Sequence, residues 1–113
     1  IKCNTCYCTC YRFNELLLRS MIKVFFIAKI KDLNSDYKTM SDKLRTLAES
    51  MPGFVDISSE EKDDVEITIS SWKTLEDVNA WRKDPLHKEA NAKSKEWYHW
   101  VKGIHVEAVD ELP

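Results

Sequence analysis

Glycine and proline are scarce in this chain, two and three among 113 residues, and the patterns built on them are missing. There is no glycine-rich phosphate loop, no Gly-x-Ser-x-Gly elbow for a serine nucleophile and no His-Glu-x-x-His pair for zinc. Long apolar runs are missing too. The strongest, Val24 to Ile30, contains Lys29 and follows Lys23, far short of the roughly 18 apolar residues that a membrane-spanning helix needs. Nor is there an excess of positive charge. The formal net charge is −2 with both signs interleaved, so no basic stripe exists to neutralise a run of phosphates, and nucleic acid is excluded as a partner. The first residues lack the apolar stretch of a secretion signal, so a soluble cytoplasmic protein with no membrane partner is expected.

Cysteine is absent after Cys10 and crowded before it, as Cys3, Cys6, Cys8 and Cys10. Four thiolates can satisfy a tetrahedral ion. Structural zinc sites, however, usually join two cysteine pairs across a longer loop, whereas these four would have to wrap an ion within eight residues, so no metal is expected. Residues 1–20 read as a cysteine-rich extension outside the fold, and Met21, where clean strand and helix periods begin, opens a domain at 21–113. With 43% apolar residues, that length closes one modest core.

What is present is a succession of periods. Ile22, Val24, Phe26, Ala28 and Ile30 share one face of a first strand, with Lys23, Phe25, Ile27 and Lys29 on the other. Tyr37, Met40, Leu44, Leu47 and Met51 recur at three and four, the stripe of a helix that begins near Ser35 and is stopped by Pro52 and Gly53. Phe54–Ser59 and Val65–Trp72 read as a hairpin joined by the polar stretch Glu60–Asp64. In its second strand Val65, Ile67 and Ile69 form the core face, while Glu66, Thr68, Ser70 and Trp72 form a polar face able to border a cavity. Thr74 and Asp77 cap a short helix that carries Leu75, Val78 and Trp81 inward. Asp84-Pro85 restarts the chain as another helix that runs to about Trp100. After Gly103, Ile104, Val106 and Ala108 alternate with His105, Glu107 and Val109 in a last strand.

The order β-α-β-β-α-β predicts an α+β, ferredoxin-like domain with a four-stranded antiparallel sheet and its helices on one face. Phe25 and Ile27 would then lie bare on the other face, at about 25 cal/mol per Å² of exposed apolar surface. An isologous homodimer, sheet against sheet, removes that cost.

The stretch SWKTLEDVNAWRKDPLHKEA, Ser71 to Ala90, with MPGF at Met51–Phe54, resembles the antibiotic-biosynthesis-monooxygenase domain over Met21 to about Val109. Trp72 ending a strand, Trp81 and Arg82 ending a helix, and the turn of Asp84, Pro85 and His87 carry the resemblance. It implies a dimeric α/β barrel with a pocket between each sheet and its helices or inside the barrel. It also implies cofactor-independent oxygenation of an aromatic or quinone-like small molecule by O2, with neither metal nor flavin. Other relatives degrade haem, which needs an axial His ten positions after the Trp and an Asn in the first strand. Here Asn91 follows Trp81 and the other position falls near Ile27, and an amide does not replace imidazole on iron, so haem degradation is disfavoured. A non-catalytic dimeric barrel that binds a small ligand or a metabolic partner is the alternative.

Such oxygenation needs a base, hydrogen bonds to hold an anion, and a dry aromatic pocket. His87 is the candidate base and Trp81 the candidate wall beside it, against the plainer readings of a helix-start or solvent-facing histidine and a core tryptophan. His87, Asn91, Ser94 and Tyr98 would form one polar helix stripe, of which Asn91 and Tyr98 are candidate substrate contacts; solvent or a dimer interface is the alternative. Trp72, on the polar strand face, is a candidate cavity wall. His105 is a second candidate base, pointing into the barrel, while His99 reads as a surface residue. Arg82 could hold a substrate anion or pair with Asp84 or Glu89.

Overall fold

A computed structural model of the protein describes residues 18–111. The elements are β1 (Leu18–Ile30), α1 (Ser35–Ser50), β2 (Phe54–Lys62), β3 (Val65–Trp72), α2 (Leu75–Lys83), α3 (Pro85–Trp97) and β4 (Tyr98–Glu111). They form one antiparallel sheet in the order β2-β3-β1-β4, with the helices on one side, as the sequence periods predict. Among the described residues, no helix is long and apolar enough to cross a membrane.

Local chemistry sets the boundaries. Asn34 caps α1 by accepting from the Tyr37 amide at 3.0 Å, and Thr74 caps α2 by accepting from the Asp77 amide at 3.1 Å. Asp84 ends α2 and caps α3, accepting from the Leu86 amide at 2.9 Å, while Pro85 takes the first helical position, where no donor is required. Gly53 turns the chain with φ 83°, and a Cβ there would overlap the Asp77 carboxylate.

Four expectations change. β1 begins at Leu18, so the boundary placed at Met21 falls inside a strand, because Leu18–Ser20 continue the ladder against Val109–Glu111. The cysteine run lies outside the described residues. The hairpin connection is two residues, Asp63 and Asp64 at φ 54° and 64°, and Glu60–Lys62 belong to β2; paired positive φ values fit the twist of a tight hairpin. α3 stops at Trp97, and β4 runs unbroken from Tyr98 through Gly103, because pairing with β1 overrides the helical period. Leu75, expected inward, is exposed.

The largest correction concerns β3. The even residues of β1 face the helices, and their β3 partners Glu66, Thr68, Ser70 and Trp72 therefore lie on the covered face. Val65, Ile67 and Ile69, expected in the core, lie on the open face, where Ile67 is 39% exposed. Phe25, Ile27, Trp100, Ile104 and Val106 share that face. The helix-side core falls into two clusters. One gathers Ala28, Met40, Ala90, Trp97 and Tyr98, and the other Ala48, Trp72, Val78 and Trp81.

Candidate active site

Between the helices and the covered face lies a cavity of about 700 Å³, inside the range of small-molecule sites. It runs beside α3, whose residues His87, Ala90, Asn91, Ser94 and Trp97 form one wall. From His87 to Trp97 the helix rises about 15 Å, which separates two chemically distinct poles.

At the first pole are Trp81, Arg82 and His87. The Asp84 junction folds α3 back beside α2, so that the His87 and Trp81 rings meet edge to face, 4.7 Å between centroids. Burial and the neighbouring Arg82 push the His87 imidazolium below its ordinary value, with Asp84 opposing, so the ring is unprotonated at neutral pH. Its Nδ1 is buried without a hydrogen-bond partner among the described residues. Arg82 forms no ion pair with Asp84 or Glu89. Trp81 stacks on Trp72, 5.6 Å away and tilted 30°.

Trp72 itself does not reach the cavity. It is fully buried behind Trp81, packs against Phe54, and donates from Nε1 to Ser70 Oγ at 3.0 Å. The alternation placed it on the correct face, but its position at the end of β3 puts it under α2. It supports the wall and is not part of it.

The second pole was not anticipated. Glu66, 6% exposed, accepts from the hydroxyls of Tyr37 at 2.9 Å and Tyr98 at 2.8 Å on one oxygen, and from Thr68 at 3.1 Å on the other. Burial first, then for Tyr98 the bond to Glu66, holds both phenols protonated: Tyr37 is pushed up to about 12 and Tyr98 is also raised. Tyr98 reaches this position because the β1–β4 register slips by one residue. Lys29 pairs with Trp100 and Ile30 with Tyr98, which leaves His99 unpaired and turns Tyr98 toward the helices. Phe26 and Trp97 complete the aromatic surround, with ring centroids 5.6 Å from Tyr98 and 5.7 Å from Tyr37.

The structure thus brings together Trp81, Arg82, His87, Asn91 and Tyr98, with Tyr98 arriving from a strand and not from the predicted helix. Asn91 and His105 are exposed lining residues at the rim. His105 sits opposite Val24 on the helix side of the sheet, so it faces this cavity and not the barrel interior. Sequence reasoning put Glu66 and Thr68 on a polar strand face able to border a cavity, as they do, but did not single them out as site residues, and it missed Tyr37. The one signal of Tyr37 was its place in the apolar stripe of α1, where a hydroxyl needs a partner once buried.

No family model matches the sequence. YqjZ, an uncharacterized protein of Bacillus subtilis (strain 168), is 27% identical over 88 residues, 77% of this chain and 77% of that one. Among solved structures, Rv0793 from Mycobacterium tuberculosis has a TM-score of 0.71 at 14% identity, covering 82% of this chain and 99% of that one. A Nitrosomonas europaea protein described as "Putative antibiotic biosynthesis monooxygenase" has a TM-score of 0.68 at 15% identity, over 78% of this chain and 89% of that one. SnoaB, a cofactor-independent oxygenase from Streptomyces nogalater, has a TM-score of 0.62 at 11% identity, over 78% and 90%. The chain has the α+β fold of the antibiotic-biosynthesis-monooxygenase-like proteins.

Proposed function

We propose that the protein is a cofactor-independent monooxygenase that oxidises an aromatic or quinone-like small molecule with O2, working as a homodimer. The observation that carries this reading is the meeting of His87 and Trp81 at the wall of an aromatic-lined cavity. Unprotonated His87 is suited to take a proton from an activated ring carbon of an anthrone-type substrate, and Arg82 to hold the resulting anion. The anion passes electrons to O2, and the ring hydroperoxide loses water to leave a carbonyl, so that CH2 and O2 become C=O and H2O. Trp81 and Trp97 exclude bulk water from that step. The open sheet face, with Ile67, Trp100, Ile104 and Val106 between 39% and 49% exposed, supports the dimer.

Oxygen uptake with a panel of anthrones and hydroquinones tests the reading. His87→Ala is expected to lower turnover about 100-fold, the usual worth of a positioned base, and Trp81→Phe to lower it less. Turnover unchanged by both substitutions would remove this site.

A further inference from the structure

The chain has two glycines, and the backbone demands only one of them. Gly53 turns with φ 83° and its Cβ position is occupied by the Asp77 carboxylate. Gly103 stands inside β4 without a positive φ, a conformation open to any residue. A glycine weakens a strand interior, because it loses more chain entropy on folding and brings no side chain to pack. Among the described residues, a Cβ at Gly103 would meet no atom within 4 Å beyond its two chain neighbours. The fold therefore gains nothing from the missing side chain, and a glycine of that kind marks the close approach of something else.

Its place in the sheet says what approaches. Gly103 pairs with Phe26 on the helix side and lines the cavity, and so do Val101 and His105, the next residues of β4 on that face. Val101 lies opposite Ala28, in the cluster of Trp97 and Tyr98, and His105 lies opposite Val24, which packs on the cluster of Trp72 and Trp81. Gly103 is thus a notch between two side chains, midway between the two poles. A second copy docked on the open face of the sheet meets the other side of this strand. We propose that the notch seats the body of the aromatic ligand, a fused-ring system lying on the β4 backbone between Val101 and His105 at about 3.5 Å, the contact distance that a Cβ would deny it. Gly103 then sets how large a ring system the cavity admits. The proposal rests on the aromatic reading of the cavity and adds the position that selects fused rings.

The test is calorimetric titration of the full chain with anthraquinone-2-sulfonate, three fused rings on a soluble handle, alongside thermal melting of each variant. Gly103→Val is expected to weaken binding at least about tenfold and Gly103→Ala about threefold, in step with the volume placed in the notch. Both should melt above the wild type, the valine chain by about 3 °C, because a side chain suits an unobstructed strand position. A purely structural glycine would move stability and affinity down together. Ile104→Val, one residue on and on the open face, should leave affinity within about twofold. Wild-type affinity in Gly103→Val overturns the notch and leaves the aromatic cavity standing. A Gly103→Val chain that melts below the wild type also overturns it, since the fold itself would then need the glycine. Failure of the wild type to bind the probe overturns the aromatic cavity and the notch together.

Discussion

On its covered face β3 sets Glu66, Thr68 and Ser70 beneath the helices, and on its open face the same strand sets Val65, Ile67 and Ile69 outside them. In an isolated α+β domain the two sets would exchange places, because polar groups under helices must find partners and bare aliphatics cost hydration. Here the covered polar row has partners in the tyrosines of α1 and β4, and the space it leaves unfilled is the cavity. Among the described residues the open apolar row has no such partner, which is the argument for a second copy. The arrangement of one strand thus bears on both a site and an assembly.

The largest expected effect tests how rigid the covered face is. Trp72→Ala removes a fully buried side chain that braces Trp81, and should cost about 4 kcal/mol in denaturant unfolding. Next comes the open face. Ile67→Glu should weaken self-association at least 100-fold, about 2.7 kcal/mol, in sedimentation velocity, whereas Thr68→Val on the covered face should leave it unchanged. A wild type that sediments as a monomer at micromolar concentration would break the comparison.

Smaller effects come from titration of the covered face. Tyr37 and Tyr98 have folded values raised above the ordinary 10, so the unfolded chain ionises first. Their contribution is whole below pH 10 and is lost as pH rises, for Tyr37 through about 12. Phenolate absorbance should show both ionising only as the fold is lost. The smallest effect is that of His87, whose folded value is lowered from 6.5. Below that pH the unfolded chain binds a proton that the folded one refuses, so stability falls with acid, and His87→Gln should flatten the decline in melting temperature.

Element types and order were legible because hydrophobic periods and caps are local: Thr74, Asp84-Pro85 and Pro52-Gly53 each mark a boundary by their own chemistry. The ends of β1 and β4 were not, since strand length there depends on pairing between residues far apart in sequence. The face of β3 was misread because alternation separates two faces without saying which one meets the helices. The first pole was legible, because His87, Trp81 and Arg82 cluster within seven residues. Glu66 was not, because what distinguishes it from the carboxylates of the same hairpin is a pair of phenols contributed by distant elements.

Asp84 stands three residues after Trp81 and three before His87, and closes one helix while opening the next. The two rings are therefore set like the jaws of a clamp around one rivet, and Pro85 fixes a backbone angle right behind it. Alterations at this joint would retune the distance between base and indole without replacing either, which gives related chains a route to new substrates that leaves the cavity walls intact.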